Sequence, residues 1–345
     1  MGLLMVTGTL SLDQFWPSGE SDADTAKVIV TGTSNAFHFQ KDPSRPAKVT
    51  HVFDQAKVRG KSGTKPAIDA NGRLTIRFQG IDATELHYRP SPLQAKPKTG
   101  PDPLAAFRAA FKSLNKQYRQ LFGETATVQL HELLARTGQA ELPCRVTTEV
   151  DSPNDVFDVF GRFIGDIHVT LNKRSVNLNH WLVEEGWAFP TFYASMSSTE
   201  INAFLAAAKK GKQKRQRLWQ HLRKVVGQFD TALIFRGKGA ALNPAADVGS
   251  VLMPKLFRRL CTYSVYKRVG IVSGNFHDYL KTTETTICYL TSDFLAQGAA
   301  ASPHHFLHEF VAADGKISKH PDELVFAEGS STLIGPDGKK ITDWQ

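Results

Sequence analysis

Two aspartates, a glutamate and two arginines occur along the first half of the sequence in short segments that together could cleave a phosphodiester bond. Asp24 lies in Ser21-Asp22-Ala23-Asp24-Thr25, and Arg77, Asp82 and Glu85 fall between Ile76 and Glu85. Arg162 closes Asp158-Val159-Phe160-Gly161-Arg162, and Ser175-Val176-Asn177 follows. Phosphodiester hydrolysis needs an attacking water, neutralisation of charge on the phosphoryl group, and attacking and leaving oxygens held in line. Asp24 and Asp82 are hard oxygen donors that, with a backbone carbonyl and waters, would hold Ca²⁺. The ion would act as Lewis acid on a phosphate oxygen. Arg77 and Arg162 would offer forked donors to phosphate oxygens, contacts that tighten as charge develops. Glu85, three residues beyond Asp82, is the candidate to activate or orient the water.

Taken singly, each segment has an ordinary reading. Asp22 to Thr25 is an Asx-type turn, Arg77 a solvated strand residue, and Asp82 with Glu85 a loop or helix start. Their occurrence in this order, with Gly161-Arg162 on a later strand, is what argues for a site.

The set resembles the staphylococcal nuclease family, whose pattern runs from an Asp-Gly-Asp-Thr turn to an arginine strand entering Asp-x-x-Glu, then Tyr-Gly-Arg, then Val-Asn before a helix. Every charged member of that pattern is present. The resemblance covers residues 5 to 225 in segments, with insertions at 34–72, 87–102 and 133–155. It implies an α+β fold, an OB-fold five-stranded β-barrel with three packed helices, and cleavage of DNA and RNA to 3′-phosphate ends. It also implies that the residue after Asp82 lends its backbone carbonyl to the metal. That residue is Ala83, where the family has Thr, and a carbonyl survives the change. Phe160 stands where Tyr is common, which removes a hydrogen bond to substrate and keeps a stacking surface. Phe192 and Tyr193 lie near the aromatics that family members place beside the nucleotide. A rival reading is a nucleic-acid-binding scaffold without catalysis, since barrels of this family also occur in such proteins.

The elements that must position these residues follow from periodicity. Gly8 to Val30 predicts two strands about a turn at Pro17-Ser18-Gly19-Glu20, and Leu74 to Ile81 predicts another. Phe107, Phe111, Leu114, Tyr118 and Leu121 step by four and three, predicting a helix from Pro103 that packs on the barrel. Thr127 to Leu130 reads as a strand, followed by a loop to Asp155. Arg162 to Val169 and a turn at Asn172-Lys173 predict a hairpin. Leu178 to Glu185 predicts a helix stopped by Gly186, and Ser197 with Glu200 a capping box.

The chain has 345 residues, enough for two domains, divided here as 1–228 and a smaller α+β domain at 229–345 of unknown task. Residues 237–250, rich in Gly, Ala and Pro, resemble the connection. A net charge of +9 favours polyanionic partners, DNA or RNA. The C-terminal domain is the expected place for a protein partner. Three cysteines, far apart, exclude a disulfide framework and a CxxC metal site. Neither a signal peptide nor an apolar stretch long enough for a bilayer is visible, so a cytoplasmic location is expected, or secretion where a leader has been removed. The cations from Lys209 to Lys224 suit either a phosphate-binding groove or a solvated helix face. Gly60-Lys61-Ser62 lacks the first glycine of a P-loop and reads as a loop.

Overall fold

The computed structural model describes all residues except Thr33, Ser34, Asn35, Glu328 and Gln345, together with the side chain of Ala246. The start of the 34–72 insertion therefore lies outside the described residues. The chain opens with β1 (Gly2–Ser11) and β2 (Thr25–Val30). The insertion then supplies β3 (Phe37–Gln40), β4 (Lys48–Val49) and a hairpin of β5 (Lys57–Gly60) and β6 (Gly63–Pro66), with Gly60-Lys61-Ser62 at its turn. Next come β7 (Arg73–Phe78), β8 (Ile81–Ala83), helices α1 (Ala105–Leu114) and α2 (Gly123–Ala135), and β9 (Glu141–Val150). Strands β10 (Phe163–Leu171) and β11 (Arg174–Asn177) form the hairpin expected at Asn172-Lys173.

Five of these strands close on themselves. β1 pairs with β2, β2 with β7, β7 with β10, β10 with β9, and β9 returns to β1. The closure is legible in the period-two burial of Leu142, Cys144, Val146, Thr148 and Val150 on β9, and of Leu74, Ile76 and Phe78 on β7. Alternation sends those side chains inward and leaves Arg77 on the outer face.

Three expectations are corrected here. The loop placed before Asp155 contains β9, and the strand at Thr127–Leu130 is the middle of α2. In α2, Ala126, Thr127, Leu130, Leu133 and Leu134 are buried, a helical spacing that a four-residue window cannot separate from a strand. The helix from Pro103 ends at Leu114, and it packs on a C-terminal helix rather than on the barrel. Tyr118 continues as extended chain, exchanging backbone hydrogen bonds with Tyr88.

Helix α3 (Leu178–Glu184) starts at Asn177, whose side chain accepts from the His180 N–H, and is followed by Gly186 in the left-handed region. After β12 (Ala188–Pro190) and β13 (Phe192–Tyr193), α4 (Ser198–Lys214) begins with the expected Ser197–Glu200 capping box, and a short α5 (Leu218–His221) follows.

The C-terminal α+β region holds α6 (Pro254–Val269), α7 (Phe276–Thr283), β14 (Ile287–Leu290), α8 (Thr291–Gln297), β15 (His305–Phe306), β16 (Leu324–Phe326) and β17 (Thr332–Ile334). It has a second apolar core, around Leu256, Leu260, Leu280 and Phe326, which also takes in Phe111 and Tyr118 from before residue 229. It is also sewn into the barrel region, since β16 pairs with β13, β17 pairs with β5, and Trp344 stacks on Phe39 at 4.1 Å. Residues 237–250, whose composition suggested a connection, lie along α2. There the Phe122 N–H donates to Asp247 at 3.0 Å, and the Trp16 indole donates to the Gly237 carbonyl at 2.9 Å. Among the described residues, no helix is long and apolar enough to cross a membrane.

Candidate active site

Strand register brings the expected residues together. Thr25 stands opposite Arg77 across β2 and β7, and the Phe78 N–H donates to the Asp24 carbonyl at 2.9 Å. Gly80 turns the chain from β7 into β8 with a φ of +71°, and an added Cβ there would meet the Phe204 ring at 2.4 Å. The turn carries Asp82 back beside Arg77. Arg77 donates from Nη2 to Asp82 Oδ1 at 2.7 Å and to the Ile81 carbonyl at 3.0 Å, and its Nη1 is ion-paired with Asp24. The Ala83 N–H donates to Asp24 Oδ2 at 2.8 Å, which fixes Asp24 to the strand bearing Asp82.

Arg162 follows Gly161, which takes the left-handed conformation at φ +74°, and Asp158 holds it in place. Asp158 Oδ2 accepts from Arg162 Nε at 2.8 Å and Nη2 at 2.7 Å, and Thr25 Oγ1 accepts from Nη1 at 3.2 Å. The exposed Phe160 ring lies 5.7 Å from the same guanidinium. Tyr193 lines the site, with the Lys255 ammonium 5.2 Å from its ring. Phe192, expected beside a nucleotide, is fully buried in the main apolar core, where its ring has no face for a ligand. The period-two alternation of β13 accounts for this, since it turns Tyr193 outward and Phe192 inward.

The opposite wall is C-terminal, and its residues matched no motif. Arg258 on α6 donates to Asp82 Oδ2 at 3.0 Å and is ion-paired with Glu85. Lys255, one turn earlier, is 3% exposed and also faces the Phe326 ring at 4.6 Å. The spacing of Lys255, Arg258, Arg259 and Thr262 along one helix face is the only sequence signal for this wall. Between the walls lies a cleft of about 930 Å³. Beside it a second groove of about 690 Å³ shares Asp22 and Arg162 with the cleft and runs on past Thr25 to Lys27, Arg73 and Lys238. The cations of α4 and α5 lie outside both, and Lys210, Lys214 and Arg217 are paired with Glu184 or Glu185.

Burial pushes the Asp22 carboxyl up to about 7, aided by the Asp24 charge. Burial also raises Glu85, against the pull of Arg258. For Asp82, burial is outweighed by Arg258, Arg77 and Lys255, so its carboxyl lies well below the ordinary range.

A hard divalent cation suits these donors by chemistry. Asp22, Asp24, Asp82 and Glu85 are all carboxylates that feel one another's charge, and Asp22 Oδ1 is buried without a hydrogen-bond partner among the described residues. The oxygens of Asp82 are turned onto guanidinium groups, and among the described residues no three His, Cys, Asp or Glu side chains converge as a ligand set. The donors fit, and the cations beside them would have to yield an oxygen.

Residues 75–221 match the model of the staphylococcal nuclease homologue family. The match spans β7 to α5 and includes Arg77, Asp82, Glu85 and Arg162, whereas Asp24 and Arg258 fall outside it. No curated protein matches the chain. Within the N-terminal two thirds of the chain, residues 75–221 are thus similar to the staphylococcal nuclease homologue family.

Proposed function

We propose that this protein is a Ca²⁺-dependent nuclease that hydrolyses phosphodiester bonds of DNA and RNA and leaves 3′-phosphate ends. A domain of this family points to nuclease or nucleic-acid-binding function. The observation that carries the hydrolytic reading is Arg77 bridging Asp24 and Asp82, with Glu85 one strand end away, on the wall of a cleft.

Asp24 and Asp82, with the Ala83 carbonyl, would hold the cation, and Asp22 with its unpartnered oxygen is a further ligand. Bound there, the ion supplies Lewis acidity to a phosphate oxygen. Arg77 and Arg162 neutralise charge on the equatorial phosphate oxygens, each pre-aligned by a carboxylate that fixes its fork. Glu85 orients the attacking water and takes its proton, and a carboxyl raised by burial is a better base than an ordinary glutamate. Phe160 and Tyr193 offer stacking faces for bases. The adjoining groove, with Lys27, Arg73 and Lys238, would follow the phosphate chain away from the cut.

The test is incubation with single-stranded DNA, double-stranded DNA and RNA in Ca²⁺, in Mg²⁺ and in chelator. Cleavage with Ca²⁺ and none with chelator is expected, with Glu85→Gln lowering kcat by roughly 10²–10⁴-fold. Undiminished cleavage by that variant would sink the assignment. A binding scaffold is the second reading, and it is favoured by Arg258 sitting on Asp82 and Glu85. Retention of nucleic acid with no cation-dependent product would establish it instead.

A further inference from the structure

Arg258 reaches the site from a part of the chain that the nuclease family model does not cover. Its Nη2 donates to Asp82 Oδ2 at 3.0 Å, and its Nη1 pairs with Glu85 and lies 3.4 Å from Asp82 Oδ1. Arg77 holds Asp82 Oδ1 at 2.7 Å. Both oxygens of a carboxylate whose side chain is 1% exposed are thus committed to guanidinium groups. A coordinated Ca²⁺ sits at roughly 2.3–2.6 Å from its oxygens. Such an ion on Asp82 would face the Arg258 charge at close range, out of bulk water, where like charges repel strongly.

The element behind the arginine is fixed. Leu256, Leu260 and Cys261 of α6 are buried, and Lys255 is packed under Tyr193 and Phe326. The Arg258 side chain is 24% exposed and borders the cleft, so its head can leave the carboxylates while the helix stays in place.

We propose that Arg258 is a built-in competitor for the divalent cation: its ion pairs with Asp82 and Glu85 exclude coordination at Asp82, so that α6 sets the cation concentration at which the site loads. The inference rests on the reading of Asp82 as a metal ligand. It makes the C-terminal region a determinant of cation affinity, and loading would release the Arg258 guanidinium into the cleft.

The experiment is calorimetric titration of the full chain with Ca²⁺, without nucleic acid, for the wild type, Arg258→Gln and Arg259→Gln. Freeing charge-assisted hydrogen bonds of this kind should tighten Ca²⁺ binding by about tenfold or more in Arg258→Gln. Arg259 pairs with Glu284 instead, and its loss should change the affinity by no more than about twofold, the through-solvent effect of one screened charge. Unchanged or weaker binding in Arg258→Gln overturns the proposal. If that variant does not fold, Arg258→Lys carries the test, because an ammonium cannot span both carboxylates as the fork does. An affinity above wild type supports competition, and an equal one overturns it. A gain in Ca²⁺ affinity without any cleavage would leave this inference standing and remove the hydrolytic reading. Unchanged affinity with normal cleavage would do the reverse.

Discussion

Asp82 is the residue on which the site's electrostatics turn, because it is nearly inaccessible and still ionised. Its charge survives burial only through Arg77, Arg258 and Lys255. Removing one partner of such a set leaves an uncompensated buried charge, which is more damaging than losing the pair as a whole. Arg77→Ala should therefore lower both stability and turnover. The expected losses are about 3 kcal/mol in denaturant unfolding and roughly 10²–10³-fold in kcat. A variant of full stability and activity would contradict the geometry.

A second buried group, remote from the cleft, gives a pH prediction. Burial raises Asp166 from an ordinary value of 3.8 to about 7, with Glu200 and Glu149 adding to the shift and the Asn177 amide opposing it from 3.1 Å. The folded state therefore favours the protonated acid. Its contribution is complete below the unfolded value, declines through pH 4 to 7, and is lost above about 7. Asp166→Asn should match the wild type near pH 4 and exceed it near pH 8 by up to about 4 kcal/mol. Unfolding curves at the two pH values decide this, and an equal difference at both would refute it.

At the scale of elements, the turn between β7 and β8 sets the distance from Arg77 to Asp82. Gly80 satisfies it in two ways: it accepts a left-handed φ, and it leaves room for the Phe204 ring of α4. Its carbonyl also accepts from the Thr191 N–H at 2.8 Å. Gly80→Ala combines backbone strain with a clash, and should cost roughly 2–3 kcal/mol. Because the same turn aims Asp82, Ca²⁺ binding should weaken with it. A thermal melt alongside a Ca²⁺ titration checks both, and an unperturbed melt would show that the turn has more slack than the packing indicates.

For the whole molecule, the stretch after residue 228 acts as part of the barrel's support. Glu124 on α2 is fully buried and is ion-paired with Arg236, which lies beyond that boundary. β13 and β5 each gain a partner strand from beyond residue 323, as edge strands generally need. A chain ending at residue 228 would expose those edges and take from the buried Glu124 its closer arginine, leaving it the Arg119 pair at 3.7 Å. It should be aggregation-prone and bind a hydrophobic dye, and a monomeric, cooperatively melting product would show that the first 228 residues stand alone.

The sequence by itself determined the chemistry of the barrel-borne site and the local structure around it. Arg77, Asp82 and Glu85 are close in the chain, so one strand and one turn suffice to place them. The caps at Asn177 and Ser197 and the turn at Asn172-Lys173 are short-range devices that any window of sequence contains. Strand β9 was hidden because Pro143 argues against a central strand, and only pairing with β1 and β10 makes the alternation around it decisive. Tertiary structure alone decided that Phe192 faces the core, that the supposed connection lies on α2, and that Arg258 arrives beside Asp82 from 176 residues away. Contacts across such separations arise from packing whole elements together, and no periodicity within one element encodes which distant side chain will face it.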